Sequence, residues 1–101
     1  MGQRFPTATY RDIVRVAKKL GFLFFRSGKG DHEIWRNPSH GRYVTIPNWG
    51  SRNLKCKTLK NIFDDFNISP AEFSNLKWLK FIVFYNFLLL GQNYLIPMFL
   101  Y

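Results

Sequence analysis

Residues 22–46 read FLFFRSGKGDHEIWRNPSHGRYVTI, a run in which strand-forming segments alternate with turns. The segments are rich in aromatic and β-branched residues, which favour strands. Residues 27–30 and 37–41 contain glycines or an Asn-Pro pair, which are typical of turns. The pattern predicts three strands, at about residues 22–26, 31–36 and 42–46. Because the intervening turns are short, we expect two consecutive hairpins that form a three-stranded antiparallel meander.

Helices are expected on both sides of this meander. Thr9 and Asp12 suit a capping box, and apolar residues then follow at helical spacing, so we expect a first helix at about Tyr10–Leu20. A second helix is expected at about residues 58–67, where apolar residues again recur at helical spacing. The order α-β-β-β-α predicts an α+β fold of two layers, with helices on one face of a three-stranded antiparallel sheet.

A third helix is expected to begin at residues 69–72, which read SPAE. Serine suits the cap, proline the first helical position, and glutamate completes a capping box. The sequence leaves two ends open for this helix, at about residue 79 or at residue 91. We therefore predict a functional domain at residues 1–74 and a hydrophobic C-terminal helical extension at residues 75–101.

The extension carries no charge from Phe81 to Tyr101, a run long enough to span a bilayer by length alone. It also contains polar amides, and Gly91 and Pro97 disfavour a continuous helix. A membrane anchor is therefore the less favoured alternative. We expect the extension to pack on the domain or to mediate association.

The composition is strongly basic. The 101 residues include 15 Lys and Arg against 6 Asp and Glu, for a net charge of +9. Thirteen of the 15 basic residues and all six acidic ones lie in residues 1–74. Such an excess favours a nucleic acid, an acidic protein or an anionic membrane surface as partner. The hydrophobic content of 47% excludes general disorder.

Cysteine and histidine are scarce. Cys56 is the single cysteine, which excludes an internal disulfide and fits a reducing cytosol, so a cytoplasmic location is expected. One cysteine and two histidines do not suggest a structural zinc site, and no cofactor is expected. Cys56 precedes Lys57 near a helix start, a setting that can activate a thiol. No acid or histidine is evidently placed to pair with this thiol, so we interpret it as structural.

His32 is the candidate for proton transfer, because histidine can take or give a proton near neutral pH. It follows the glycine-rich turn, so we expect it to be accessible near a strand end. Strand alternation places His32 and Ile34 on the face opposite Trp35. The residues alone support two roles equally, a general acid or base and a half-exposed strand histidine bonded to backbone. His40 lies in the next turn and is expected to be solvated.

Several basic residues are candidates for binding RNA phosphates, and a helix N-terminus with neighbouring lysines suits that role. The candidates are Arg26, Lys29, Arg42, Arg52, Lys55, Lys57 and Lys60. The alternative is a solvated charged surface. Trp49 and Tyr43 can stack on unpaired bases, although Tyr43 alternatively belongs to the core.

The order and spacing of these segments resemble the HicA toxins, small ribonucleases of bacterial and archaeal type II toxin–antitoxin systems. The resemblance covers about residues 7–74. It rests on residues 21–22 (GF), 30–35 (GDHEIW), 37–38 (NP), 44–47 (VTIP) and 57–59 (KTL).

Membership of that family implies a fold similar to the double-stranded RNA-binding domain, cleavage of mRNA, and neutralisation by a HicB antitoxin. His32 takes the place of the family's catalytic histidine, which follows a Gly-Ser pair. Two departures stand out: Asp31 occupies the position where serine is usual, and Lys57 the position where glycine is usual.

The sequence and the resemblance together predict the toxin of a type II toxin–antitoxin system. We expect an endoribonuclease that cleaves mRNA, with His32 as general acid or base and a HicB-like antitoxin as its protein partner. Two alternatives remain open. One is a non-catalytic RNA-binding module of the same fold, and the other is a membrane-associated variant anchored by the C-terminal extension.

Overall fold

A computed structural model describes residues 5–78. In chain order its elements are α1 (Tyr10–Lys19), β1 (Leu23–Ser27), β2 (His32–Arg36), β3 (Tyr43–Pro47), α2 (Cys56–Phe66) and α3 (Pro70–Trp78). The predicted α+β architecture is confirmed, and the predicted bounds of the first two helices and the three strands differ from the observed ones by no more than about two residues. Residues 75–78 of the predicted extension belong to α3, whereas its remainder and both predicted ends of the third helix lie outside the described residues.

The three strands form one antiparallel sheet in the order β1-β2-β3. Trp35 of β2 lies opposite Val44 of β3, and Glu33 lies opposite Ile46. Directly opposed residues share a face of the sheet. Trp35, Val44 and Ile46 are buried, so this face carries the core.

The helices cover that face of the sheet and supply the rest of the core. Both α1 and α2 contact β3, and α3 contacts both other helices. The buried apolar side chains of the helices are Ile13, Val16, Ala17, Leu59, Ile62, Phe63, Phe66 and Phe73. They recur at three- and four-residue spacing within α1 and α2, which explains why the sequence predicted these helices.

Capping explains which helix bounds could be predicted. The Thr9 hydroxyl accepts a hydrogen bond from the Asp12 backbone N–H, and the Asp12 carboxylate accepts one from the Thr9 backbone N–H. The start of α2 differs from the prediction by two residues, because its cap is Lys55, which makes no side-chain hydrogen bond to the helix. A start without a capping side chain leaves no local signal in the sequence.

The third helix is docked on the rest of the domain. Phe73 is fully buried, and the Lys19 ammonium donates a 2.6 Å hydrogen bond to the Leu76 carbonyl. The Lys77 ammonium donates a 2.9 Å hydrogen bond to the Thr7 carbonyl. Contacts to the domain therefore continue past residue 74. Among residues 5–78, no helix combines the length and the apolar character needed to cross a bilayer.

Strand β1 differs from the other two strands in its burial. All five of its residues are exposed, including the large apolar side chains of Leu23, Phe24 and Phe25. Its register with β2 shifts between Phe24 and Arg26, which marks a bulge at Phe25. β1 thus forms an open edge of the sheet.

Candidate active site

A backbone hydrogen-bond network fixes His32 at the start of β2. The Gly28 N–H donates a 2.8 Å hydrogen bond to the His32 carbonyl, and the His32 N–H donates a 3.1 Å bond to the Lys29 carbonyl. Gly30 has a φ of +62°, a conformation that glycine adopts without strain. The Asn48 N–H donates to the Asp31 carbonyl, which ties the turn to the segment after β3. The turn therefore presents His32 from a defined backbone position.

The His32 side chain lies at a cleft between β3 and α2. It is 51% exposed, as the sequence predicted for a residue near a strand end. The cleft has a volume of about 230 Å³. Its lining residues are His32, Thr45, Pro47, Trp49, Thr58, Asn61, Ile62 and Asp65. A proton-transfer group therefore opens onto a space that a ligand can enter.

One face of α2 forms a wall of this cleft. Thr58, Asn61, Ile62 and Asp65 follow one another at spacings of three, one and three residues, so they share a helix face. The other polar cleft residues were not predicted from the sequence; they are Thr45, Thr58, Asn61 and Asp65. A signal was present in α2, where polar residues recur at helical spacing beside the buried apolar face.

Asp31 is a charged neighbour of His32 rather than a hydrogen-bond partner. Its carboxylate lies 4.0 Å from His32 Nε2, beyond hydrogen-bond distance, and its side chain is half exposed. The pair is an ion pair only while His32 is protonated. Within the described residues the His32 ring makes no hydrogen bond. Both ring nitrogens are therefore available to a substrate.

Asp65 carries the negative charge of the α2 wall. Burial and the neighbouring Asp64 carboxylate raise the pKa of Asp65 above its usual value, while Arg42 acts in the opposite direction. The Asp65 carboxyl is therefore harder to ionise than an ordinary surface carboxyl. Its position in the cleft makes this part of the site unfavourable for a phosphate group.

Some predicted phosphate-binding residues lie close to the His32 end of the sheet. Lys29 belongs to the turn that holds His32. Arg26 lies opposite Ile34, on the face of the sheet that carries His32. The Arg52 guanidinium lies over the ring of Trp49, with its central carbon 4.9 Å from the ring centroid.

Three predicted lysines lie at the N-terminal cap or in the first half of α2. Lys55 caps the helix, and Lys57 and Lys60 are exposed on it. None of the three lines the cleft, but Lys57 flanks the cleft residue Thr58 and Lys60 flanks Asn61. They form an exposed basic margin beside the cleft.

Arg42 lies elsewhere. It precedes β3, whereas His32 is paired with Pro47 at the other end of that strand. Its charge instead acts on Asp65. Arg42 thus lies toward the other end of β3 from His32, but its charge acts on a residue that lines the same cleft, and its role in binding RNA stays a prediction.

His40, Tyr43 and Cys56 occupy exposed positions. His40 Nδ1 accepts a 3.2 Å hydrogen bond from the Arg42 N–H, and the ring packs edge-on against Phe22. Tyr43 is 50% exposed, so it does not belong to the core. Cys56 is exposed at the first position of α2, where its thiol adds nothing to the buried core.

The family model for the HicA toxin of bacterial toxin–antitoxin systems matches residues 10–68. The chain belongs to the HicA toxin family. The match runs from the start of α1 past the end of α2, so it includes His32 and every residue that lines the cleft. A comparison with curated proteins finds no match. As a HicA-family toxin, the chain is one component of a toxin–antitoxin system and has an antitoxin as partner.

Proposed function

We propose that this HicA-family toxin is an endoribonuclease that cleaves mRNA and uses His32 as a general acid or base. The observation that carries the proposal is the His32 ring, which opens half exposed onto a cleft and makes no hydrogen bond within the described residues. Membership of a toxin family and the basic surface support the same function.

The chemistry requires one proton to leave the attacking oxygen and one proton to reach the leaving oxygen. A neutral imidazole takes the proton of a ribose 2′-OH, the oxygen attacks the adjacent phosphorus, and the bond from phosphorus to the 5′-oxygen breaks. An imidazolium gives a proton to that 5′-oxygen. The ring nitrogens of His32 are accessible for either transfer, which is typically worth about 10²–10⁴-fold in rate.

Basic residues around the cleft provide affinity for the RNA backbone. Lys29 and Arg52 are placed near the His32 end, where their charges favour a phosphate beside the ring. Lys55, Lys57 and Lys60 extend the positive surface along α2. Binding through such contacts weakens as salt concentration rises, because it releases counterions from the RNA.

We further propose that the antitoxin partner is of the HicB type and that it acts by denying RNA access to His32. The half exposure of this side chain supports the idea, because a bound protein can cover it without rearrangement of the turn.

Induced expression of wild type and His32→Ala in a bacterial host tests the catalytic assignment. We expect growth arrest and loss of mRNA with the wild type and neither with the variant. Equal arrest and equal mRNA loss with the two proteins would overturn the role of His32. Circular dichroism of both purified chains checks that the variant is folded.

Asp31 favours one alternative, a non-catalytic RNA-binding module. Its carboxylate occupies the position where the family usually has serine, and it places negative charge 4.0 Å from the ring that faces the substrate phosphate. In that case purified wild type binds RNA without cleaving it. Asp31→Ser then distinguishes the two functions, because it restores the usual residue and is expected to raise the rate only in a ribonuclease.

A further inference from the structure

Trp49 offers a flat apolar surface beside His32. It is half buried and lines the same cleft. The loop that carries it is held by two hydrogen bonds, from the Gly50 N–H to the Asn48 side chain and from the Arg52 N–H to the Trp49 carbonyl. The Arg52 guanidinium stacks on the indole ring. The ring is therefore positioned before any ligand arrives.

The wall formed by α2 offers hydrogen-bonding groups without a positive charge. The Asn61 amide has both donors and an acceptor, and within residues 5–78 it makes no hydrogen bond. Asp65 lies one turn further along the same face, and its carboxylate, when ionised, repels phosphate from the part of the cleft that it lines. The cations of this region, by contrast, lie on the turn, on the loop and along the margin. The cleft therefore suits a neutral, flat, polar-edged group, with the phosphates left outside.

We propose that the cleft beside His32 is a subsite for one unpaired nucleobase of single-stranded RNA, which stacks on Trp49 and is hydrogen-bonded at its edge by Asn61. This inference rests on the proposed ribonuclease function and specifies its substrate class. Aromatic rings stack on bases that have left a helix, whereas a paired base cannot enter such a cleft. A fold similar to the double-stranded RNA-binding domain is thus used here for single strands.

Fluorescence anisotropy with the full chain carrying His32→Ala tests the subsite while preventing cleavage. The probes are a short single-stranded RNA, the same strand in a duplex, and single strands with one abasic nucleotide at successive positions. We expect the single strand to bind more tightly than the duplex. We also expect one abasic position to weaken binding by about tenfold, in keeping with the usual effect of losing one stacked base.

Trp49→Ala tests whether the base at the sensitive position and the Trp49 ring interact with each other. In that variant binding to the intact strand is expected to fall by about tenfold, and the abasic position is expected to have no further effect. Trp78→Ala is the matched control, because Trp78 also carries a cation over its ring, Lys77 at 5.3 Å, but lies on α3 away from the cleft. Asn61→Ala is expected to reduce differences among the four bases at the same position, with the exposed Asn75→Ala as its control.

The outcomes separate this inference from the proposed function. If every RNA binds equally well with Trp49→Ala and no abasic position matters, the subsite is wrong while RNA binding stands. If the chain binds none of the probes and the wild type cleaves none, the proposed function fails and the subsite with it.

Discussion

His32 and His40 are the two histidines of the chain; His32 is the first residue of strand β2, and His40 lies in the turn that follows its other end. Both are exposed. The His40 side chain makes contacts within the fold, because its Nδ1 accepts a hydrogen bond from the Arg42 N–H and its ring packs against Phe22. The His32 ring is held only through its backbone and faces a cleft. The difference shows that a histidine becomes a candidate for chemistry when its backbone is fixed and its ring is left free.

The largest expected effect tests this difference directly. His32→Ala is expected to lower the rate of RNA cleavage by about 10²–10⁴-fold, because proton transfer is lost. His40→Ala is expected to keep a rate within about threefold of wild type, with a small loss of stability from the missing contact to Phe22. The measurement is single-turnover cleavage of a labelled RNA by each purified protein. A slow His40→Ala and a fast His32→Ala would reverse the assignment.

The next effect concerns stability at the His40 end. Asn37 is buried, its amide donates a 2.9 Å hydrogen bond to the Leu20 carbonyl, and its side-chain oxygen accepts the Ser39 N–H. Asn37→Ala leaves both backbone groups without these partners, so we expect the free energy of unfolding to fall by about 2 kcal/mol. Urea denaturation measures this loss. Asn75→Ala, at an exposed helix position, is expected to change it by less than about 0.5 kcal/mol.

Cleavage by the folded fraction of Asn37→Ala is expected to match the wild type. A specific loss of activity at full folding would mean that the His40 end contributes to the site after all.

A third prediction compares RNA binding by one basic residue near each end of strand β2. Lys29 lies in the turn of His32, and Arg42 follows the turn of His40. Lys29→Ala is expected to weaken single-stranded RNA binding and to reduce the slope of log affinity against log salt by about 0.7, the value for one phosphate contact. Arg42→Ala is expected to leave the slope closer to that of wild type. A larger change with Arg42→Ala would place the RNA backbone along the other end of β3.

The smallest expected effect is on stability, and it concerns a hydrogen bond on the core face of β2. The Tyr10 hydroxyl donates a 2.7 Å hydrogen bond to the Glu33 carboxylate, which also accepts one from the Trp35 indole. Burial, this hydrogen bond and the charge of Glu33 raise the pKa of Tyr10 to about 12. An unfolded tyrosine ionises near pH 10, so the stabilisation from the protonated hydroxyl is complete below pH 10 and is lost as the pH rises to about 12.

Tyr10→Phe is therefore expected to be about 1 kcal/mol less stable than wild type at pH 8 and to approach wild type by pH 12. Urea denaturation of both proteins at a series of pH values measures the difference. A gap that stays constant above pH 10 would show that folding does not raise the pKa of the Tyr10 hydroxyl.

The sequence predicted the elements well because their signals are local. A capping box marks α1, helical spacing of apolar residues marks α2, and Ser69 with Glu72 forms the second capping box that was expected. The start of α2 could not be predicted, because its cap at Lys55 has no side-chain hydrogen bond.

The site was predicted only in part, because it depends on which segments come together. His32 and its turn are contiguous in the chain, so the sequence could predict them together as a candidate. The cleft combines β2, β3, a loop and α2, and its Asn61 and Asp65 face His32 only through tertiary packing. The sequence also does not show that strand pairing places His32 and Arg42 toward opposite ends of β3, or that the charge of Arg42 acts on the cleft residue Asp65.

The exposed strand β1 has a consequence for local opening of the segment that holds His32. Protection of backbone amides from hydrogen exchange depends on packing as well as bonding, and segments with little burial open at lower free energies than the core. All five residues of β1 are exposed, and the Gly28 N–H bond to the His32 carbonyl directly follows that strand. The hairpin that holds His32 therefore belongs to a less protected layer than α2 across the cleft. We therefore expect the position of His32 to be lost through local opening of this hairpin at a lower free energy than that of global unfolding.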